Sequence, residues 1–446
     1  MKKDVVIIGG GPGGISAAVM GKTLYPEKSF LVIRKSQKAV IPCGIPYIFH
    51  SLEYKPERNL IPDDMLKKMG IEILIEEVVG IDKEGKFCEL SNGDKVFFDK
   101  LIIATGSVPV IPKWLKGSDL ENVFVVKKDE NYIRSMLNAL EKCEKIVVIG
   151  GGFIGVEVSD ELKELGKDIT IVEILPHILS LAFDEDIAER AENLLREKGI
   201  KIKTGVGVKE IVGKGKVEEV VLENDERIPA DAVILAMGYK PSTELAEKAG
   251  LGLNKFGFIR VDEYMRTESN DIFAVGDCAE KRDFFTGKLS RVMLASVASK
   301  EANIAAMNLF NVSTPKMFQG TVTVFSTVVC GIGFGAAGLT ESAARKEGFD
   351  IVVGSSESPD KHPASLPETY NQFVKLIVSK KSGVILGGEV VGGKSTGELV
   401  NLIGLVVQSR MTITSLLNTQ FGTHPLLTPS PVNYSLIRAA GAIMKK

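Results

Sequence analysis

The stretch Asp4-Val5-Val6-Ile7-Ile8-Gly9-Gly10-Gly11-Pro12-Gly13-Gly14-Ile15-Ser16-Ala17-Ala18 decides how the chain folds. A short apolar run enters a glycine cluster and leaves in an Ala-rich segment that can continue as a helix, with Gly9, Gly11 and Gly14 spaced as GxGxxG. The spacing serves a tight turn, close backbone approach to a pyrophosphate, and close helix-strand packing. The helix start then turns its unpaired N–H groups toward negative charge. One such match is weak, but the pattern recurs: Ile146-Val147-Val148-Ile149 leads into Gly150, Gly152 and Gly155, and a helical pattern runs to Gly166. Two copies 141 residues apart, each between a strand and a helix pattern, predict two Rossmann-like dinucleotide-binding units.

Working outward, Ile169-Thr170-Ile171-Val172 reads as the next strand of the second copy, closed by Glu173. A carboxylate there accepts from both ribose hydroxyls of NADH and repels the 2′-phosphate of NADPH, so NADH is the expected nucleotide. A solvated charge at a strand end is the alternative. In the first copy Phe30-Leu31-Val32-Ile33 ends in Arg34-Lys35, with no acid, which leaves the adenosine ribose contact of that nucleotide unassigned. Glycine-punctuated strand patterns follow at Leu101–Gly106 and Ala232–Gly238, and Asp271–Ala279 reads as a buried strand delivering Asp277 beside Gly276. From about Thr314 alternating strands take over, as in Phe373–Val378, before a helical tail. The expected fold class is α/β: residues 1–113 and 240–315 form one dinucleotide-binding domain, 114–239 a second, and 316–446 a C-terminal α+β domain.

With 446 residues the chain has room for two to four domains. Its 55 basic against 57 acidic side chains, a formal charge of -2, argue against a nucleic-acid binder. The five cysteines, at 43, 88, 143, 278 and 330, are odd in number and scattered, without CxxC or a Cys/His cluster, so neither a disulfide framework nor a metal site is expected. The apolar N-terminal run is explained by the glycine turn after it, which disfavours a signal peptide and leads us to read the protein as cytoplasmic. Met317–Thr340 is uncharged and long enough to span a bilayer, but its Gly, Ser and Thr content and Thr-Val alternation favour strand, turn and buried segment over membrane.

The two GxGxxG units, the Ala104-Thr105-Gly106 turn, and Ala274-Val275-Gly276-Asp277 ahead of a C-terminal α+β domain together resemble the FAD-dependent pyridine nucleotide-disulfide oxidoreductases over essentially the whole chain. The resemblance implies that Gly9, Gly11, Gly14 and Asp277 contact FAD, that Gly150, Gly152, Gly155 and Glu173 contact NADH, and that the last domain forms a homodimer. Dithiol members carry CxxxxC early in the FAD domain. Here the early candidate is Cys43, in Ile41-Pro42-Cys43-Gly44-Ile45-Pro46-Tyr47, with no second cysteine four or five residues away. Cys-Gly-Ile-Pro-Tyr is similar to the single-cysteine branch, which holds coenzyme A disulfide reductases, NADH oxidases, NADH peroxidases and coenzyme A-dependent sulfur reductases.

That chemistry requires a thiolate, and a helix beginning near Pro46 is expected to lower the thiol pKa. With one cysteine the oxidised state is a mixed disulfide with a small thiol or a sulfenic acid. The first implies a disulfide or persulfide reductase, the second peroxide or oxygen chemistry. The other four cysteines are read as packing. By resemblance Phe153 is an aromatic gate over the flavin and Glu157 the helix glutamate near the nicotinamide, with ordinary packing and helix-face roles as alternatives. His424-Pro425 matches the His-Pro of the dithiol relatives, without the glutamate that follows it there, and His424 is a candidate proton donor to a departing thiolate. His362-Pro363 lies in a loop where coenzyme A disulfide reductases bear tyrosines. Pro12-Gly13-Gly14 replaces the histidine that NADH peroxidases place in the first helix turn, which argues against peroxide reduction. Lys22, Arg58 and Lys67 are candidate phosphate contacts for coenzyme A, while Ala39 and Pro42 depart from the branch's serine and asparagine.

The resulting expectation is that NADH reduces FAD, and FAD a sulfur bond at Cys43, the acceptor being a small disulfide, polysulfide or coenzyme A persulfide. The alternatives are an NADH oxidase reducing oxygen to peroxide or water, a reductase of a protein electron carrier, and a non-enzymatic NADH-responsive binding protein.

Overall fold

The computed structural model describes residues 1–444, which divide into two compact units. The first comprises Met1–Trp114, Asn122–Cys143 and Met237–Thr321, and the second Leu115–Glu121, Glu144–Ala236 and the chain from Val322 onward.

In the first unit the opening apolar run is the strand Lys2–Ile8, central in a sheet with Phe30–Arg34 and Glu72–Ile75 on one side and Lys95–Ile103 on the other. These four strands are parallel, in the register Val5↔Phe30, Ile8↔Ile33 and Ile8↔Ile103. Lys95–Ile103 is shared: its first half pairs antiparallel with Phe87–Leu90 and its last three residues pair parallel with Ile272–Ala274. Both faces are covered, Val5, Ile7, Val32 and Ile102 packing into one core and Val6, Ile8, Leu31 and Ile103 into another. That is why these strands read as unbroken apolar runs rather than alternating ones. The helices Pro12–Leu24 and Ala295–Asn308 pack together on the first of these faces, linked by Ser16 Oγ to Ser299 Oγ at 3.0 Å.

The second unit repeats the pattern with Lys145–Ile149 between Ala232–Leu235 and Asp168–Glu173, followed by Lys201–Thr204, all parallel. The same unit contains the C-terminal segment, an antiparallel sheet in the order Val324–Val329, Ile332–Gly338, Ile385–Gly392, Asn371–Ser379, Ile351–Pro359. Helices Thr396–Gln408 and Ser435–Ile443 pack on it. Two glycines make that packing possible: a Cβ on Gly335 would sit 3.1 Å from Val400 Cβ, and one on Gly354 would sit 2.4 Å from the Ala439 carbonyl. Met317–Thr340, the uncharged segment, contributes the hairpin Val324–Val329 and Ile332–Gly338. Among the described residues no helix is long and apolar enough to cross a membrane.

Candidate functional site

The two glycine cradles are built alike. Gly9 and Gly150 adopt φ of +119° and +110°, and each donates its N–H to the neighbouring strand, Gly9 to Ile33 and Gly150 to Val172, both at 2.8 Å. A Cβ on Gly9 would lie 2.1 Å from the Ala104 carbonyl oxygen; one on Gly14 would meet Gly9 O at 2.0 Å, and one on Gly155 would meet Gly150 O at 1.9 Å. Glycine is therefore a steric requirement at these three positions. Gly11 and Gly152 are different, since a Cβ there would meet nothing within 4 Å. Both stand at N-caps of helices, Pro12–Leu24 and Phe153–Glu164, that no side chain caps. Open space above uncapped N–H groups fits a dinucleotide pyrophosphate in both cradles.

Strand ends distinguish the copies. Glu173 is bent back over its own cradle, Oε2 accepting from Gly151 N at 2.6 Å and Oε1 from Leu175 N at 2.8 Å. The carboxylate is thereby fixed at the cradle rim, where a ribose diol would meet it. At the equivalent position Arg34 is buried, with a side chain only 3% exposed, and is paired with Asp63 through two bonds of 2.8 and 2.7 Å. It also donates to the carbonyls of Ser36 and Gln37. This guanidinium holds the Asp63 carboxyl below the usual carboxylate range. The basic residue left unexplained by the sequence is thus a buried internal strut, and its alkyl chain takes the space that a Cβ on Gly10 would need, 2.6 Å from Arg34 Cδ.

Asp277 lies in a 3-10 turn, Gly276–Cys278, that follows the strand Ile272–Ala274. Its Oδ2 accepts from Ser107 Oγ at 2.7 Å and from Lys128 Nζ at 3.1 Å, and among the described residues nothing bonds Oδ1. A carboxylate with one oxygen anchored and the other open suits a sugar hydroxyl, so the first unit fits FAD at the pyrophosphate and at Asp277. Neither Ser107 nor Lys128 stood out in the sequence, since their role depends on a turn 149 to 170 residues away.

Cys43 is the one exposed cysteine of the five. It sits in the 3-10 turn Pro42–Gly44, after the short strand Ala39–Val40, which pairs with Leu60–Ile61. The loop is latched by Asn59: Ile41 N donates to Asn59 O and Asn59 Nδ2 to Ile41 O, both at 2.9 Å. Gly44 makes room for that latch, because a Cβ there would be 2.0 Å from Asn59 Oδ1. The helix expected from Pro46 is a correction. Pro46–Phe49 is four residues of 3-10 helix, ended by His50, and Glu53 and Tyr54 adopt left-handed φ of 56° and 58°. The chain folds back so that Leu52 N and Tyr54 N bond the carbonyls of Tyr47 and Ile48, and the turn does not continue as an α-helix.

In the second unit Phe153, the first residue of its helix, packs edge-on against Phe325 at 5.0 Å and Phe183 at 6.2 Å. One turn on, Glu157 is half-buried and accepts from Thr327 Oγ1 at 2.6 Å. Burial pushes its carboxyl up to about 7, against the hydrogen bond from Thr327. His424 is exposed, its Nδ1 accepting from Leu426 N at 3.3 Å. His362 donates Nδ1–H to the Thr428 carbonyl at 3.0 Å and its backbone N–H to Pro425, so the two histidine loops are tied together. Lys22 is withdrawn as a phosphate contact, since its Nζ caps the carbonyls of Pro26 and Lys28 at 2.8 Å each. Arg58 pairs with Glu53 at 2.8 Å, while Lys67 is exposed. Cys88, Cys143 and Cys278 are buried. Cys330 is not simple packing: it takes the left-handed turn of a hairpin, φ 50°, and its N–H donates to Asp160.

Comparison with known proteins identifies the family. Residues 3–302 match the model of the pyridine nucleotide-disulphide oxidoreductases, and residues 324–434 that of the dimerisation domain of the same family. An NADH oxidase of Methanocaldococcus jannaschii is 32% identical over 99% of this chain and 98% of its own. An NAD(P)H coenzyme A polysulfide/persulfide reductase of Pyrococcus horikoshii is 33% identical over 88% of each chain. Among solved structures, an NAD-dependent persulfide reductase from A. fulgidus superposes with a TM-score of 0.91 at 30% identity, over 100% of this chain and 83% of that one. With the family model matching most of the chain, the protein belongs to the pyridine nucleotide-disulphide oxidoreductase family, as a flavin-dependent NAD(P)H oxidoreductase.

Proposed function

We propose that the chain is an NADH-dependent reductase of a small disulfide, polysulfide or coenzyme A persulfide, with Cys43 as its redox-active sulfur. The observation that carries this reading is the exposure of Cys43 in a latched turn while three of the other cysteines are buried and the fourth is half-buried. Support also comes from the persulfide reductases of Pyrococcus horikoshii and A. fulgidus, at 33% and 30% identity. The cradle of Gly150, Gly152 and Gly155 holds the NADH pyrophosphate, and Glu173 accepts from its ribose hydroxyls. Phe153 and Glu157 border the nicotinamide. Gly9, Gly11, Gly14 and Asp277 hold FAD, which when bound supplies the two-electron relay between nicotinamide and sulfur.

Cys43 attacks one sulfur of the acceptor as a thiolate; the old S–S bond breaks, one thiol leaves, and the mixed disulfide at Cys43 is then reduced. The overall balance is NADH + R–S–S–R′ + H⁺ giving NAD⁺ and two thiols. His424 is the proposed donor of the proton to the departing thiolate. A homodimer through the C-terminal domain, with no membrane or nucleic-acid partner and a cytoplasmic setting, completes the proposal.

A second reading, NADH oxidase, is favoured by the Methanocaldococcus relative, which matches over nearly the full length of both chains. Replacement Cys43→Ser separates the two. Turnover of disulfide or persulfide should fall by at least about a thousandfold, while oxygen consumption yielding peroxide survives. Unchanged disulfide turnover in that variant would sink the reductase reading. Anaerobic titration with NADH, combined with mass spectrometry of Cys43, should consume two equivalents per flavin and release a small thiol if Cys43 rests as a mixed disulfide.

A further inference from the structure

The turn that presents Asp277 is gripped from beneath by two charged side chains, Glu301 on the helix Ala295–Asn308 and Lys281 just past the turn. Both side chains are 0% exposed. Glu301 Oε2 accepts from Gly276 N at 2.7 Å. Lys281 Nζ donates to the Gly276 carbonyl at 2.6 Å and to the Ala279 carbonyl at 2.9 Å. The ammonium stands 3.6 Å from Glu301 Oε1, which has no hydrogen bond of its own. Anion and cation thus hold the N–H and the C=O of one residue, Gly276. That residue has φ +79°, and a Cβ on it would lie 3.3 Å from Ala298 Cβ.

A buried ion pair is a poor way to stabilise a fold, because the loss of hydration offsets the attraction, and apolar side chains of similar volume serve as well. Apolar side chains cannot, however, make directed bonds to both polar groups of the residue preceding Asp277. The pair also feels Asp277: burial pushes the Glu301 carboxyl up to about 7, Lys281 and the Gly276 N–H oppose that, and Asp277 adds to the rise.

We infer that Glu301 and Lys281 are positioning residues for FAD, holding the Gly276–Ala279 turn so that Asp277, anchored on its other oxygen by Ser107 and Lys128, keeps Oδ1 for a ribitol hydroxyl. This rests on the reading of Asp277 as a flavin contact. The test is FAD titration of the apoprotein by quenching of flavin fluorescence, with melting of each apoprotein as the control for folding. The proteins compared are wild type, Asp277→Ala, the double variant Lys281→Met/Glu301→Met, and the triple variant.

The Met pair should weaken FAD binding about tenfold while its apoprotein melts within a few degrees of wild type, and it should add less than about twofold in the Asp277→Ala background. FAD affinity of the Met pair equal to wild type, or an undiminished effect without Asp277, overturns the inference. If the Met pair does not fold, Glu301→Gln, which keeps an acceptor for Gly276 N, carries the same cycle. It should lose about threefold in affinity with Asp277 present and nothing without it, and wild-type affinity overturns the inference. Equal FAD affinity in wild type and Asp277→Ala overturns the reading of Asp277 and this inference with it. Loss in Asp277→Ala without loss in the Met pair overturns this inference alone.

Discussion

Glu157 is a half-buried carboxyl bonded by a hydroxyl, and its folded pKa is pushed up to about 7 from 4.5. Between those values the native state binds more protons than the unfolded one, so its contribution to stability falls as pH rises from about 4.5 to 7 and is fully lost above that. The loss is at most about 3 kcal/mol. Glu157→Gln should therefore gain stability over wild type between pH 5 and pH 8, measured by urea unfolding at both. A constant difference between the two proteins would exclude the protonated glutamate. Glu301 and Glu389 shift in the same direction and cancel in this comparison. At Glu173, whose two oxygens are aimed by backbone N–H groups, replacement by Ser should lower kcat/KM for NADH by about ten- to a hundredfold and bring the NADH to NADPH ratio toward one. Steady-state kinetics with both nucleotides checks it.

The Cys43 loop is an element whose shape depends on one contact made at a distance. A Cβ at position 44 would fall on the Asn59 amide, so each substitution alone should disturb the turn: Gly44→Ala by about 1–3 kcal/mol through overpacking and Asn59→Ala by about 1–2 kcal/mol through the lost bond to Ile41. The double variant should cost less than the sum, because removing the Asn59 amide vacates the site that the new methyl needs. Urea unfolding gives the energies, and the alkylation rate of Cys43 reports the loop. Additive energies would mean that the two residues do not meet. The same distance explains why a helix from Pro46 looked reasonable. Proline at a first helical position is a sound start signal, but the carbonyls of Tyr47 and Ile48 are taken by the N–H groups of Leu52 and Tyr54 as the chain turns left-handed at Glu53 and Tyr54, and the helix has nothing to continue on.

Across the whole second unit, the early segment and the C-terminal sheet meet at a buried charge cluster. Lys375 Nζ lies 2.9 Å from Asp184, 3.0 Å from Asp186 and 3.3 Å from Glu389, with its own side chain 7% exposed. Burial, followed by the nearby Asp184, pushes Glu389 up to about 8, whereas Asp184 stays below the usual carboxylate range despite its burial because Glu389, Ser342 and Lys375 bond it. Removing that ammonium leaves the buried Asp184 carboxylate without its cation. Lys375→Met should destabilise the protein by about 3–5 kcal/mol, read as a lower urea midpoint at unchanged slope. A midpoint equal to that of the wild type would show the cluster to be dispensable.

What the sequence determined by itself was local and periodic: two strand-glycine-helix cradles, the acid closing the second one, the Gly276-Asp277 turn, the uncharged hairpin, and the cysteine with its flanking Gly and Pro. Those signals survive because a glycine forced to φ near +110° or a strand buried on both faces is written into neighbouring residues. Tertiary structure decided the rest. It made Arg34 a strut rather than a ligand, bent Glu157 onto Thr327, latched Cys43 with Asn59, and placed Ser107, Lys128, Lys281 and Glu301 around Asp277. Except for the bonds of Lys281 to the nearby Gly276 and Ala279 carbonyls, these are polar contacts between residues 18 to 170 positions apart, closed only when buried groups must find partners, and no pattern along the chain records which partner they find.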